Sequence, residues 1–398
     1  MYKIKKLNKI APEGLALFDM NDYEIGTEIS APELIILRSF DMHDMELPPT
    51  LLGIGRAGAG VNNIPVDKCT EQGIVVFNTP GANANAVKEI TIAGLLLASR
   101  DIVEGINFSA TIKDKGAEVP ALVEANKKQF AGQEIMGKTL GVMGLGKIGV
   151  MVANAALDLG MNVIGYDPFI SVEAAWGLSR EVKRAEGLDA LVAQSDYITL
   201  HTPLIDATRG IINAEKFGRM KKGVAILNFS RGGIVNNDDL RRAIADGIVR
   251  RYVTDFPDED LLAMDKVINI PHLGASTEEA ETNCAVMVAH QLKNFVETGV
   301  IKNSVNFPDC KLEPSADYRL TVMNRNIPNM VGQISSILAK AGINISEMIN
   351  KSKGDYAYNI IDIGSEPTQA VIEAIYNIDG IVKVRSLVLN KQLVSANS

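Results

Sequence analysis

The stretch that decides the fold is Thr139–Gly149, TLGVMGLGKIG, near the middle of a 398-residue chain. It opens with an apolar, strand-like run and continues into residues that favour a helix. Between the two, Gly144 permits a tight turn, Gly146 lets the backbone approach a diphosphate and Gly149 allows close helix packing. Exposed amides and the helix dipole at such a turn favour an anion. The stretch therefore predicts a dinucleotide-binding α/β domain.

A second apolar run, Met161–Tyr166, ends at Asp167, about 20 residues beyond the glycines. An acid at that distance is placed to accept hydrogen bonds from the adenosine ribose hydroxyls, and it would repel a 2′-phosphate. We therefore predict NAD rather than NADP as the cofactor. The alternative is a glycine turn with no ligand, which the strand, the helix and Asp167 together disfavour.

Size and composition leave room for two or three soluble domains, with 46% hydrophobic residues and a net charge of −8. The acidic balance argues against a nucleic-acid surface. Cys69, Cys284 and Cys310 show no metal-binding spacing, which predicts reduced thiols in a cytoplasmic protein without a metal site. The basic start lacks the apolar core of a signal peptide, and no run is long enough to span a bilayer.

Apolar strand candidates alternate with helical stretches on both sides of the glycine loop, which predicts two Rossmann-like, doubly wound parallel sheets. The candidates are Ala16–Phe18, Leu34–Leu37, Leu51–Ile54 and Ile74–Phe77 before the loop, and Tyr197–Leu200, Val224–Asn228, Tyr252–Thr254 and Val267–Ile270 after it. Amphipathic runs at Ala86–Ser99 and Glu278–Thr298 are suited to connect the two domains. We predict a discontinuous substrate domain, residues 1–90 and 283–310, and a nucleotide domain, residues 91–282.

The pattern changes beyond a polar linker at Asn306–Ala316. Residues 317–393 follow the order β-α-β-β-α-β, which is typical of a ferredoxin-like α+β domain. This segment contains no catalytic set of side chains, so we predict a small regulatory or assembly module.

Three side chains after the loop supply the chemistry of hydride transfer from a 2-hydroxy acid. His272, just past a strand, is a candidate base for the hydroxyl proton, and Glu259 a candidate carboxylate to orient it. Arg231 offers a planar fork for the substrate carboxylate. Singly, these residues read equally well as a loop histidine, a solvated acidic turn and a surface ion pair. Because all three follow a cofactor-binding loop in the same chain, the catalytic interpretation is favoured.

The strings GRAGAGVNNI (55–64), FNTPGANANAV (77–87), HTPL (201–204), NFSRGGIV (228–235) and PHLGAST (271–277) resemble the D-2-hydroxy-acid dehydrogenase family over nearly the whole chain. The resemblance implies cofactor contacts from Lys147, Ile148, Asp167, Thr202, Pro203, Thr208, Phe229, Ser230, Arg231, Asp255, Gly274 and Ala275. It implies substrate contacts from Arg38, Ser39, Arg56, Ala57, Gly58, Ala59 and Gly60. Those cations suit a phosphorylated 2-hydroxy acid. The acidic string is shortened here to DFPDED, so Asp260 is an alternative to Glu259.

The C-terminal module resembles an ACT domain, an amino-acid-sensing fold. The resemblance implies an effector such as L-serine at Asn324, Asn326 and Asn344, although Asn is also a common turn and capping residue. Asn329 stands where the ACT turn usually has Gly, and Asn tolerates a left-handed backbone. ACT modules commonly pair, which favours a homodimer or homotetramer.

Two rival functions remain open at the level of sequence. One is a family member with an unphosphorylated substrate, such as a glyoxylate or hydroxypyruvate reductase. The other is an NAD(H)-sensing binding protein of the corepressor type, because a fold does not fix a function.

Overall fold

The computed structural model describes residues 1–389 and divides into two compact units. One unit combines Met1–Asn83 with Glu281–Ser398, and the other is Ala84–Ala280. The chain therefore enters the second unit at residue 84 and leaves it within the helix Glu278–Thr298. Each unit is built around parallel β-sheet.

The first unit opens with a five-stranded parallel sheet of order β2-β1-β3-β4-β5. Its strands are β1 (Tyr2–Lys6), β2 (Tyr23–Gly26), β3 (Leu34–Leu37), β4 (Gly53–Arg56) and β5 (Val75–Phe77), with short helices α1 (Pro12–Leu15) and α2 (Val66–Glu71). All four residues of β3 are buried, as expected for a central parallel strand covered on both faces.

The strand predicted at Ala16–Phe18 is wrong. Pro12 lies in the first turn of α1, where its fixed φ favours a helix, and residues 16–18 continue from it as a turn. The first strand is instead Tyr2–Lys6, in which only Ile4 is fully buried. Its alternation of lysine and apolar residues marks one half-exposed strand of the sheet.

The second unit carries a seven-stranded parallel sheet of order β12-β11-β10-β9-β6-β7-β8. Its strands are β6 (Thr139–Met143), β7 (Asn162–Tyr166), β8 (Lys183–Arg184), β9 (Tyr197–Leu200), β10 (Val224–Asn228), β11 (Val249–Thr254) and β12 (Val267–Asn269). Its helices are α3 (Ala84–Ser99), α4 (Ile102–Thr111), α5 (Val119–Asn126), α6 (Lys147–Asp158), α7 (Val172–Gly177), α8 (Leu188–Gln194), α9 (Ala214–Phe217), α10 (Asn237–Ala245) and α11 (Glu259–Leu262). The prediction of two doubly wound parallel sheets is confirmed.

After α12 (Glu278–Thr298), the first unit ends in a four-stranded antiparallel sheet of order β14-β15-β13-β16. The elements are β13 (Tyr318–Arg325), α13 (Met330–Lys340), β14 (Ile345–Lys353), β15 (Tyr356–Ile363), α14 (Gln369–Tyr376) and β16 (Ile381–Val388). This order confirms the predicted ferredoxin-like domain, of which residues 390–393 lie outside the described part of the chain. One face of its sheet packs on α13 and α14, while Met323, Tyr358 and Ile360 share a core with Phe295 and Phe307.

All three cysteines, Cys69, Cys284 and Cys310, are buried as free thiols. Burial raises the pKa of the Cys69 and Cys310 thiols to about 11, so both stay protonated at neutral pH. Within residues 1–389 no helix is long and apolar enough to cross a membrane, and no group of acidic, Cys or His side chains is arranged to hold a metal. The cytoplasmic location stays a prediction.

Candidate active site

The glycine turn has the geometry that its sequence predicts. Gly144 follows β6 with a φ of 90°, in the left-handed region that favours glycine. A Cβ on Gly149 would stand 2.0 Å from the carbonyl oxygen of Gly144, so no larger residue fits there. Gly146 differs from both, because a Cβ on it would meet nothing within 4 Å. It precedes α6 as an exposed N-cap, which leaves open space where a diphosphate would approach the helix N-terminus.

Gly146→Ala is therefore expected to weaken NADH binding about tenfold or more without lowering thermal stability. The backbone of Gly146 has a φ of −70° and its surroundings are open, so the folded protein tolerates a methyl group that a bound diphosphate does not. Isothermal titration with NADH and a thermal melt measure the two quantities. The matched control is Gly187→Ala, also in open space and the N-cap of α8. Equal NADH affinity in the two variants would contradict the assignment.

Asp167 lies directly after β7, beside a cavity of about 470 Å³. One carboxylate oxygen accepts the amide of Leu145 at 2.8 Å and the other accepts the amide of Phe169 at 2.8 Å. Each carboxylate oxygen can accept a second hydrogen bond, so the group keeps capacity for ribose hydroxyls. Lys183 and Arg184 also line this cavity. The role predicted for Asp167, discrimination against a 2′-phosphate, stays a prediction.

The carboxyl ends of β6, β9, β10, β11 and β12 lie at one edge of the sheet, because these strands are parallel neighbours. The cofactor residues implied by the resemblance follow those ends: Lys147, Ile148, Thr202, Pro203, Thr208, Phe229, Ser230, Arg231, Asp255, Gly274 and Ala275. This is the edge at which open α/β sheets bind ligands. The Thr208 hydroxyl donates to the Pro203 carbonyl at 2.6 Å and so holds the turn after β9.

His201 was not among the predicted site residues, yet it lies beside the glycine turn. Its carbonyl oxygen is 2.6 Å from where a Cβ on Gly144 would stand, and its Nε2 is 2.9 Å from the Thr199 hydroxyl. Burial lowers the pKa of His201 to about 4, which keeps the ring neutral at pH 7. Within residues 1–389, neither its Nδ1 nor the buried Thr202 hydroxyl has a hydrogen-bond partner. Buried polar atoms of this kind usually bind a ligand or an ordered water.

Arg231 is exposed, three residues past the end of β10. Its Nη1 donates to the Ser230 carbonyl at 2.6 Å, and its own carbonyl accepts the Asn228 side-chain amide at 2.9 Å. These bonds hold the backbone of the NFSRGG turn while most of the guanidinium donors stay available. The arrangement suits recognition of a carboxylate.

His272 has a backbone that is unusual for a residue with a side chain. Its φ is 46°, in the left-handed region, and its amide donates to the carbonyls of Asp255 at 3.1 Å and Ile270 at 3.0 Å. The exposed imidazole packs against Phe256, with ring centroids 4.9 Å apart. Such a conformation costs free energy and is often retained where a side chain must point in a required direction.

The Asp255 carboxylate interacts electrostatically with both His272 and Arg231. It is buried, and one of its oxygens accepts the Gly274 amide at 2.8 Å. Burial raises the pKa of the Asp255 carboxyl, while the Gly274 amide, His272 and Arg231 oppose that rise. Its other oxygen is buried without a partner in residues 1–389, which leaves it for a ligand. The sequence implied only a cofactor contact here.

The predicted role of Glu259 as the partner of His272 stays a prediction. Glu259 is exposed in the first turn of α11, and among the described residues its carboxylate has no hydrogen-bond or ion-pair partner. The alternative, Asp260, forms an ion pair with Arg241 at 3.2 Å. Asp258 caps α11 by accepting the Leu261 amide at 2.8 Å. Of the acidic residues from 255 to 260, it is Asp255 that interacts with His272.

The predicted substrate residues lie together in the first unit, after β3 and β4. Arg56 ends β4, and its Nε donates to the carbonyl of Arg38 at 3.0 Å. A Cβ on Gly58 would stand 2.7 Å from the Arg56 Nη1, so the guanidinium lies over the loop Ala57–Gly60. Arg38 forms an ion pair with Glu281.

The loop itself is held by main-chain and amide contacts. The Ala57 amide donates to Leu37 at 2.8 Å, and the Ala59 carbonyl accepts the Asn78 side chain at 2.6 Å. Ser39, exposed, accepts a hydrogen bond from Asn8 at 3.0 Å. Two guanidinium groups beside a glycine-rich loop provide the chemistry of an anion site.

The predicted effector residues differ in accessibility. Asn324 is buried, with its amide nitrogen donating to the Arg325 carbonyl at 2.6 Å and its oxygen accepting from Asn359 at 2.7 Å. Asn326 and Asn344 are exposed. Asn329 has a φ of 68°, which explains how Asn replaces Gly at this turn.

Residues 95–274 match the family model described as D-isomer specific 2-hydroxyacid dehydrogenase, NAD binding domain. Residues 95–274 therefore belong to the NAD-binding domain of the D-isomer specific 2-hydroxyacid dehydrogenase family. The matched segment includes the glycine turn, Arg231 and His272, and it confirms NAD as the predicted cofactor. The open space at Gly146 and the buried, unpartnered oxygen of Asp255 fit such a cofactor.

The proteins similar to this chain include 3-phosphoglycerate dehydrogenases and a glyoxylate reductase. A D-3-phosphoglycerate dehydrogenase of Methanocaldococcus jannaschii is 36% identical over 335 residues, which cover 82% of this chain and 61% of that protein. The chain thus spans about three-fifths of that relative. The structure of an NAD⁺-bound 3-phosphoglycerate dehydrogenase in Entamoeba histolytica is similar with a TM-score of 0.60 and 25% identity, over 77% of this chain and 98% of that one. A glyoxylate reductase from Paecilomyes thermophila has a TM-score of 0.60 and 26% identity, over 76% and 98%.

Proposed function

We propose that this dehydrogenase oxidises 3-phospho-D-glycerate to 3-phosphohydroxypyruvate with NAD, the first committed step of L-serine biosynthesis. The observation that carries the proposal is the pair Arg38 and Arg56 beside the loop Ala57–Gly60, because guanidinium groups suit a phosphate-bearing acid. The relatives named D-3-phosphoglycerate dehydrogenase support the same substrate.

His272 would take the hydroxyl proton at its imidazole, and Arg231 would hold the substrate carboxylate through paired N–H donors. Bound NAD supplies the acceptor for the hydride. Asp255 holds the backbone on both sides of Leu273, because its carbonyl accepts the His272 amide and its carboxylate accepts the Gly274 amide.

Initial rates of NADH production from 3-phospho-D-glycerate and from D-glycerate test the proposal. Turnover confined to the phosphorylated acid supports it. Turnover of D-glycerate alone moves the chain to the hydroxypyruvate reductases and removes the phosphate role of Arg56. NADH binding without oxidation of either acid indicates a cofactor-sensing protein.

Arg56→Gln is expected to raise KM for 3-phospho-D-glycerate about 10- to 100-fold, since a charge-assisted hydrogen bond to phosphate contributes roughly 1.5–3 kcal/mol. Any turnover of D-glycerate should be nearly unchanged, because that acid has no phosphate to lose. Steady-state kinetics of both substrates give the comparison. Arg242→Gln, on an exposed part of α10, is the control. An equal effect of Arg56→Gln on both acids would count against a phosphate contact.

L-serine is the effector that we propose for the C-terminal domain, at the exposed Asn326 and Asn344. Asn324 is committed to Arg325 and Asn359, so a direct contact from it requires rearrangement. The rate measurements above, repeated with L-serine, test this part separately. Unchanged rates at saturating substrate and at KM would remove the effector role and leave the catalytic proposal intact.

A homodimer or homotetramer is also proposed, with a second copy covering α4 and α5. Neither helix buries a residue, and Ile106 is 63% exposed above an apolar groove lined by Phe108, Val123 and Phe130. An uncovered groove of this kind costs free energy in water. Light scattering on a size-exclusion column should give two or four times 42.9 kDa. A monomeric mass would end this proposal.

A further inference from the structure

One face of the C-terminal sheet is unusually cationic. Alternation along the strands places six basic residues on the face opposite α13 and α14: Arg319, Arg325, Lys351, Lys353, Lys383 and Arg385. The same face carries Met323, Tyr358 and Ile360, which join the core formed with Phe295 and Phe307. The cations therefore stand around an apolar contact within the first unit.

Four of the six cations donate to main-chain carbonyls of that unit, and Arg325 lies over the Tyr356 ring, with its guanidinium carbon 4.3 Å from the ring centroid. Arg319 reaches Thr298 at 2.8 Å and Leu312 at 3.0 Å, and Arg385 reaches Val296 at 3.0 Å. Lys383 donates to the carbonyl of Leu51 at 2.9 Å, and Lys353 to that of Val305 at 2.9 Å. A main-chain carbonyl that is shielded from water needs a donor, and these side chains supply one.

Lys351 is the exception. Within residues 1–389 its ammonium has no hydrogen-bond or ion-pair partner, and it lines a cavity of about 520 Å³. Lys302, also without a partner in that range, lines the same cavity, as does Lys311.

The acids of this cavity already have partners. Asp309 accepts the Asn303 amide at 2.8 Å, and Glu313 pairs with Lys311 at 2.7 Å. Arg319, also in the lining, is neutralised by Asp362. The Asn303 amide is neutral, so Asp309 keeps its charge and offsets one of the two lysines. Lys302 and Lys351 thus leave a net positive charge beside a partly open cavity.

We propose that this cavity is a second ligand site, distinct from the NAD and hydroxy-acid residues, for a small anionic metabolite. Lys351 belongs to the C-terminal sheet and Lys302 to the segment that follows α12. An anion that pairs with both ties the sheet to that segment. With the anion bound, Lys351 also has a partner, as do the four basic residues that donate to carbonyls.

The test uses citrate and inorganic phosphate as separate probes on the full chain, against sodium chloride at equal ionic strength. Hydrogen–deuterium exchange reports where each anion binds, and isothermal titration reports the affinity. The cavity variant is Lys302→Gln/Lys351→Gln. The matched control is Lys222→Gln/Lys340→Gln, two exposed lysines outside the cavity. Protection of residues 56–60 reports anion binding at the proposed substrate loop within the same experiment.

We expect at least one probe to protect residues 300–314 and 345–353 in the original protein and in the control. The cavity variant should lose this protection and bind that probe about tenfold or more weakly. Protection by citrate alone indicates a polycarboxylate, and protection by phosphate alone a phosphate ester. Protection limited to residues 56–60, or equal affinity in both variants, would overturn the second site while leaving the substrate proposal standing.

Discussion

Replacing His272 with Gln is expected to lower kcat about 10³-fold while leaving NADH affinity within about twofold. Glutamine keeps a polar side chain of similar size but cannot accept the hydroxyl proton at neutral pH. The imidazole is exposed and makes its ring contact with Phe256 alone among the described aromatic residues, so the fold should not depend on it. Stopped-flow and steady-state kinetics with NADH titration separate binding from turnover.

The control is His290→Gln, an exposed histidine on α12. It should retain full activity. If His272→Gln kept more than about a tenth of kcat, the general-base assignment would fail, because positioned acid–base groups contribute about 10²- to 10⁴-fold. Loss of activity together with loss of NADH binding would point instead to collapse of the loop that Asp255 holds.

Asp362→Asn should lower the free energy of unfolding by about 3–5 kcal/mol, the largest stability effect we expect. The Arg319 and Asp362 side chains are both 0% exposed, and Nε and Oδ1 are 2.6 Å apart. Asparagine fits the same space but removes the negative charge, so Arg319 stays buried without its counter-ion. Urea unfolding monitored by fluorescence and by exchange in residues 317–389 measures the loss.

Two further variants test whether the loss of stability comes from leaving a buried charge without its counter-ion. The exposed pair Lys311–Glu313 is the control, and Glu313→Gln should cost about 0–1 kcal/mol. The double variant Arg319→Met/Asp362→Leu should recover a large part of the stability, since an apolar pair carries no desolvation cost. If Asp362→Asn were as mild as Glu313→Gln, the buried pair would not be holding the C-terminal domain in place.

Much of the fold could be predicted because its strands are short, apolar and buried on both faces. Leu34–Leu37, Tyr197–Leu200 and Val224–Asn228 have their predicted bounds for this reason. Ala16–Phe18 failed because a short apolar run does not distinguish a strand from a buried turn after a helix that starts at Pro12.

The site was predictable where local backbone geometry fixes the residue type, as at Gly144 and Gly149. The position of Asp255 beside His272 depends on the pairing of β11 with β12, which no local pattern reveals. The contacts of the C-terminal sheet could not be predicted for the same reason. In the sequence, Arg319 and Arg385 look like ordinary surface cations. Arg319 reaches the Thr298 carbonyl 21 residues away, and Arg385 reaches the Val296 carbonyl 89 residues away.

The end of α12 limits how this protein can exchange parts with its relatives. Its last turn leaves carbonyls that the helix cannot satisfy, and the C-terminal sheet supplies the donors through Arg319, Arg385 and the Tyr358 hydroxyl. A gene fusion that replaces the C-terminal domain must supply equivalent donors. Otherwise the carbonyls at the end of α12 lose these hydrogen-bond partners. Recombination at the linker is therefore expected to succeed only between lineages that share these three positions.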